Sequence, residues 1–446
     1  MALLLLAWLV LFAFLLLLIL QDRRRCGALT LSYFLSLSLI HVPGALVYLH
    51  PSAGYAETLR GMQLTVLGLA MFVAGVAFAQ LHRYRAHAVQ PDLAPLDAGW
   101  MSAIARKFSA IGIFVFFIAV PLAAEVPSST AVLSPLVGLI VIGIWLWLCA
   151  AIVRGDRRKQ VLILALLPLL PLSTLATIGF VSFSTQWVIT VLAFFFVMSR
   201  RRLWMIVLMP FAFYLALSVF VAYLGERNSI RDLIWYEEAD LSARMERIGD
   251  IFTHFELLDL DNPKHAEALD ARLNQNALVG AAAFNLDGGS VDFAYGATVP
   301  WWAVIPRAIW PEKPEIGGGR SIVSDFTGLY FPEGTSVGAG QVLEFYVNFG
   351  TIGVVIGFFV WGFALITFDR RIMHAMAKAD MPLLLRYSMV GLTLVNPGGN
   401  LLEIIIAAIG AYISSPMILY VDRKLRSLPL ARFVPGFPSG RGTRAP

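Results

Sequence analysis

Residues 299–353 read VPWWAVIPRAIWPEKPEIGGGRSIVSDFTGLYFPEGTSVGAGQVLEFYVNFGTIG. They gather prolines, glycines, aromatic rings and fixed charges between two long apolar regions. Pro300, Pro306, Pro311, Pro314 and Pro332 each remove a backbone donor and push the preceding residue toward extended geometry, so no long regular helix fits across them. The stretch predicts a shaped loop. Arg307, Lys313 and Arg320 stand near Trp301, Trp302 and Trp310, and Glu344 and Asn348 open the apolar run that follows. Cations beside aromatic rings at a membrane surface suit a ligand with an anionic head and an apolar or sugar body.

The chain around this stretch has 446 residues, of which 58% are hydrophobic and 14% charged, with mean hydropathy +0.74. That is a polytopic membrane protein and not an ordinary soluble domain. The formal charge is +5, but the basic residues form short clusters between apolar runs. That distribution belongs to membrane topology and excludes a nucleic-acid-binding surface. Cys26 and Cys149 both fall in or beside apolar segments, which excludes a disulfide framework and a cysteine metal site.

Residues 1–20 are apolar and are followed, not preceded, by Arg23, Arg24 and Arg25, the reverse of a signal peptide. The positive-inside rule then predicts a first helix running from outside to inside. Further spans are expected over 26–49, 61–81, 108–124 and 130–153, two short helices within 161–198 turning near 179–184, and one over 203–224. Three more follow at 342–367, 382–395 and 401–421. The fold class is an all-α bundle of about eleven transmembrane helices. Its parts are an N-terminal membrane bundle (1–224), a large extracytoplasmic loop (225–341), C-terminal membrane helices (342–421) and a cytoplasmic tail (422–446).

The loop holds 18 of the chain's 29 acids within 225–340 but only 9 of its 34 Lys and Arg, as a non-cytoplasmic segment should. Leu241, Met245, Ile248, Phe252 and Phe255 recur at helical spacing and predict an amphipathic helix. A second helix is expected from Pro263 to about Leu278, with proline in its first turn.

IPRAIWPEKP (305–314) and E-F-Y-V-N-F-G-x-x-G (344–353) resemble bacterial O-antigen and exopolysaccharide repeat-unit polymerases of the Wzy type. The resemblance covers these two motifs and the layout of many spans with one large late loop. It implies a GT-C-like glycosyltransferase of the bacterial inner membrane. The enzyme would join undecaprenyl-pyrophosphate-linked oligosaccharides on the outer face, with a periplasmic loop and no cofactor. It implies lipid-linked oligosaccharides and membrane lipids as partners, with a flippase and a chain-length regulator alongside. An arginine-bearing turn that such proteins often carry in an earlier outer loop is missing from residues 179–186 here.

Such a reaction needs cations at the departing pyrophosphate and an acceptor for the attacking hydroxyl's proton. Arg307, Lys313 and Glu344 are the catalytic candidates, with Arg320, Trp310, Asn348 and Arg231 binding substrate. Against this, Arg307 and Lys313 suit interfacial anchors. Glu344 suits a structural pair with a loop arginine, and Gly317 to Gly319 suit a hinge as well as an anion nest. Arg227 and Arg231 suit pairing with Glu226 and Asp232. Asp259 and Asp261 lack the companions of a metal site, and His254 and His265 suit bases less well than plain positions beside the amphipathic stripe and in a polar helix. The alternative functions are a ligase-type transferase and a glycolipid flippase or other transporter, which should show buried charges or broken helices at mid-membrane.

The topology predicts that single cysteines at positions 242 and 290 react with an impermeant thiol reagent added to intact spheroplasts. Labelling confined to lysed cells would reverse the sidedness read from the basic clusters.

Overall fold

The computed structural model of the protein describes residues 1–22, 26–50, 54–86, 96–123, 129–178, 181–199, 202–235, 241–253, 255–305, 307, 309–313, 318–332, 335 and 337–427. Among these the chain is helical, with no strand. Helices α1 (Ala2–Gln21), α2 (Ala28–Val47) and α3 (Tyr55–Ala86) open the chain. Next come α4 (Ala98–Leu122), α5 (Leu133–Val153) and α6 (Arg157–Thr177), then α7 (Ser182–Met198) and α8 (Arg202–Trp235). The loop region contributes α9 (Leu241–Thr253), α10 (Pro263–Leu273), α11 (Gln275–Asp287) and α12 (Gly319–Thr327). Helices α13 (Gln341–Ala377), α14 (Met381–Leu394) and α15 (Leu401–Ser427) close it.

Among the described residues nine helices are long and apolar enough to cross a membrane, and α7 and α14 are shorter apolar helices. Each apolar segment expected to span carries one of these. The helices overrun the apolar segments: α4 starts ahead of Arg106, and α8 continues past Arg227 to Trp235. Local signals fix several starts. Asp97, Asp156 and Asp380 accept backbone N–H groups of the first turns of α4, α6 and α14. Asp369 of α13 does this service for another helix, accepting Leu29 N at 2.8 Å, Thr30 N at 3.0 Å and Thr30 Oγ1 at 2.7 Å at the start of α2. The expectations resting on Arg23, Arg24, Arg25, Pro306, Pro314, Gly317 and His254, and on the turn at 179 and 180, lie outside the described residues.

The amphipathic helix expected from Leu241 is α9. The second loop helix differs from expectation, since it stops at Leu273 and a new helix starts at Gln275. The two form a hairpin whose tip enters the bundle. Along α10 and across the tip, Asp270 accepts from Tyr48 at 3.0 Å, Asn274 packs on Gly44, and Asn276 bonds His41 through both its oxygen (2.8 Å) and its nitrogen (2.7 Å). The partners descend α2 from position 48 to 41, about 10 Å at 1.5 Å per residue. On the return, α11 lies so close to α3 that a Cβ at Gly61 would meet the Asn276 carbonyl and one at Gly280 that of Glu57.

Helix α13 is also not one rod. Phe349 (φ −142°, ψ 19°) and Gly350 (φ 61°, ψ −152°) break it into a short arm, 341–348, and a long arm from 351 onward. A continuous helix would hold positions 345 and 358 about 20 Å apart, whereas the rings of Phe345 and Phe358 have centroids 5.5 Å apart and Phe345 also meets Trp361 at 6.3 Å. The short arm therefore folds back along the long one. Its first residue, Gln341, accepts a hydrogen bond from Tyr33, deep on α2, where the Tyr33 ring stacks on Phe72 at 5.0 Å. Chain segment 337–340 thus runs into the bundle before the helix turns back out.

Gly350 adopts a region that only glycine occupies without strain, a penalty of roughly 1–3 kcal/mol for another residue. Gly350→Ala should lower the unfolding midpoint in detergent. Gly225→Ala, where an added Cβ meets nothing within 4 Å, should not.

Candidate functional site

Three chain reversals meet inside the bundle. Gln341 N donates to Pro397 O (3.0 Å), Gln341 Nε2 to Asn396 O (3.4 Å), Ala339 N to Asn400 Oδ1 (3.2 Å) and Gln275 Nε2 to Gly338 O (3.3 Å). Glu344, fully buried, accepts the Leu401 N–H at the start of α15 through Oε2, while its Oε1 is buried without a hydrogen-bond partner. The carboxylate is a helix cap in the centre of this knot. Asn348, expected on the same face, is there: its Nδ2 donates to Glu344 O (2.7 Å) and Thr298 Oγ1 (2.6 Å), and its Oδ1 accepts Gly296 N (2.8 Å). Ala294 N and Tyr295 N close the carbonyls of Val347 and Asn348. Asn348 therefore ends the short arm and holds the 294–298 turn.

The other predicted cations lie elsewhere. Arg307 Nη1 donates to Lys313 O (2.8 Å) and Pro311 O (3.5 Å), and Lys313 Nζ to Ala303 O and Ile305 O. Burial, and then the neighbouring Arg307, hold the Lys313 ammonium below its usual range. Trp310 meets Trp302 edge to face, centroids 5.9 Å apart. Arg320 Nη1 reaches Phe331 O at 3.4 Å, and Gly319 is pressed against Val337 O at the start of α12, a packed position. His265 accepts Asp259 N (3.1 Å) and Asp259 accepts Asp261 N (2.9 Å), so this acidic pair closes a turn.

A cleft of about 800 Å³ opens between α8, α9 and α10, lined among others by Arg227, Arg272, Lys264, His265, Glu256 and Glu267. Tyr223, Arg227 and Arg231 succeed one another at four-residue spacing on α8 and so share a face. Arg272 comes to them from α10. Burial, and then the Arg227 charge, hold the guanidinium groups of Arg231 and Arg272 below their usual range, and Arg272 further lowers Arg231. The pairing expected for Arg227 is not formed, because Glu226 is taken by Arg247 at 2.7 Å and Arg247 also holds Asp250 at 3.0 Å. Among the described residues Arg227 and Arg272 make no ion pair. Cations gathered this way offer planar forks to an anion of more than one negative charge. Sequence reasoning found Arg231 and Arg227 but missed Arg272. Its only local signal is a basic residue in the last turn of a helix, and that carries no information about a partner forty positions earlier.

Comparison with protein-family models, with curated proteins and with solved structures finds no match to the chain.

Removing the Glu344 side chain leaves the buried Leu401 N–H without an acceptor, a loss of about 1–3 kcal/mol. Glu344→Ala should lower the unfolding midpoint in detergent, while Glu344→Gln, which keeps an acceptor oxygen, should stay close to the parent. Equal losses for both would mean that the charge, and not the acceptor, is required.

Proposed function

We propose that the protein is a membrane glycosyltransferase. It joins lipid-linked oligosaccharide repeat units at the outer face of the bacterial inner membrane, with the lipid pyrophosphate held at the α8–α10 cleft. The observation that carries this reading is the gathering of Arg227, Arg231 and Arg272 around Tyr223 beside that cleft. Guanidinium groups held below their usual range by a neighbouring cation gain stability when an anion joins them. Because the cleft sits at the end of a long apolar helix, a polyprenyl tail can stay in the bilayer while its phosphates reach the arginines.

In the reaction, a sugar hydroxyl of one unit attacks the anomeric carbon of the glycan on the other. The new glycosidic C–O bond forms as the C–O bond to pyrophosphate breaks. The electron pair leaves with the pyrophosphate, where the guanidinium groups stabilise it. The hydroxyl proton passes to a carboxylate of the cleft wall, Glu256 or Glu267. Arg307 and Lys313 are not needed at the leaving group in this scheme, since their hydrogen bonds serve their own loop.

One observation favours a second reading. A broken helix with a buried carboxylate beside it, as at Glu344 and Gly350, is the construction that transporters use at their substrate and ion sites. A lipid-linked-glycan transporter would move its substrate without lengthening it.

The two are separated with purified protein in nanodiscs, where no transport between compartments exists, supplied with lipid-linked repeat units. Polymer should form, and Arg272→Ala should slow it by about 100-fold to 1000-fold, as for loss of one donor to a developing oxyanion. Arg272→Lys should recover part of the rate, because it keeps the charge and loses the fork. Polymer formed by Arg272→Ala at the parent rate would remove the cleft from the reaction, and no polymer from the parent protein would favour the transporter.

A further inference from the structure

In its described residues, the loop over 301–313 is built inside out for a segment in water. Its two cations point inward. Lys313 Nζ donates to the carbonyls of Ala303 and Ile305, and Arg307 Nη1 to those of Pro311 and Lys313. Backbone bonds take three more carbonyls: Ala303 N donates to Pro300 O (2.9 Å), Ile305 N to Trp302 O (3.0 Å) and Lys313 N to Trp310 O (3.2 Å). Beside the exposed Glu312, what the loop presents outward is apolar. Trp301 is 77% exposed and Ile309 76%, with Trp302, Ile305 and Trp310 partly exposed beside them.

Water would satisfy those carbonyls at no cost and would favour the reverse arrangement, with the cations out and the rings in. A lipid phase sets the opposite condition, since each backbone polar group entering it must be satisfied from within. The 3₁₀ turn Trp301–Val304 packs against α15, itself a membrane-length helix. Phe349 and Ile352, at the break and first turn of the α13 long arm, are likewise exposed and apolar. Arg and Trp together are the residues that settle at the headgroup level.

We propose that the 301–313 loop is seated in the headgroup–acyl boundary of the bilayer, with Trp301 and Ile309 as its inserted side chains and Arg307 and Lys313 as the internal staples that let its backbone enter. The occupant of this face is lipid. The inference is independent of the reaction proposed above, for a transporter would need the same staple.

The test uses Trp301→Cys and Ile309→Cys separately, in full-length protein with Cys26 and Cys149 replaced, each labelled with a small environment-sensitive fluorophore in nanodiscs. Lipids carrying a nitroxide high on the acyl chain should quench both labels several-fold more than aqueous iodide does. An Ile356→Cys label on the exposed face of the long arm serves as the lipid reference and a Ser290→Cys label as the water reference. Quenching of both loop labels by iodide to the extent seen at position 290 would overturn the proposal. Protection from both quenchers would also overturn it, because a protein or glycan would then cover the face. A second variant, Lys313→Gln, should shift the Ile309→Cys label toward iodide. Unchanged lipid quenching there would show that the staple is not what seats the loop.

Discussion

The constraint on which the rest depends is that a backbone N–H or C=O group inside a bilayer must find its partner within the protein. Two non-helical segments, 337–340 and 395–400, and the α10–α11 tip at Asn274 enter the bundle, and each meets the others' needs. Pro397 O takes Gln341 N, Asn400 Oδ1 takes Ala339 N, Gly338 O takes Gln275 Nε2, and Glu344 takes Leu401 N. Four helices, α11, α12, α13 and α15, begin around this point, and their N-termini bring converging positive dipole ends. A carboxyl group buried among them is costly alone, but here it is the acceptor for one of their orphan donors. The knot fixes where the loop region can go, and so sets the position of α10 against α8.

The protein uses its cations in two contrasting ways as a result. At Arg307 and Lys313 they are spent on carbonyls of their own loop, and a bound anion would have to displace hydrogen bonds already made. At the cleft, the Arg227 charge bears on both Arg231 and Arg272 and holds them below their usual range. Like charges held together repel, and under the proposed function a pyrophosphate replaces that repulsion with attraction. Under the proposed function the cleft and not the proline-rich loop holds the anion, although the loop carries the residues that stand out in the sequence.

The apolar helices and the amphipathic α9 were legible because hydropathy and periodicity are local properties. Pro263 announced α10 for the same reason. The break at Phe349 and Gly350 was not, since both neighbouring segments are apolar and helix-forming, and a fold-back stabilised by Phe345 on Phe358 and Trp361 leaves no trace in the order of residues. Nor did the sequence signal that Asn274 would interrupt a helix at a buried tip; its bond to Thr58 (3.0 Å) and the fit against Gly44 are tertiary. The deep burial of Glu344 was hidden for the same reason. Its place in the first turn of a helix was readable, but the depth of that turn in the bundle depends on Tyr33 and Pro397, far away along the chain. Arg272 joins the candidate site through the same tertiary fit.

The fold-back of α13 is the feature from which the knot, the loop path and the placement of α10 all follow, and chemical cross-linking measures it directly. With Cys26 and Cys149 replaced, cysteines at positions 345 and 357 are treated in native membranes with a short bis-maleimide, and the linked peptide is read by mass spectrometry. The folded-back arm, in which a Cβ at position 357 lies 2.7 Å from the Phe345 ring, predicts efficient linkage. A pair at 356 and 368, equally spaced along the unbroken long arm and about 18 Å apart at 1.5 Å per residue, should not link. Linkage of 345 and 357 no greater than that of this control pair would mean that α13 is a straight span, contradicting the account.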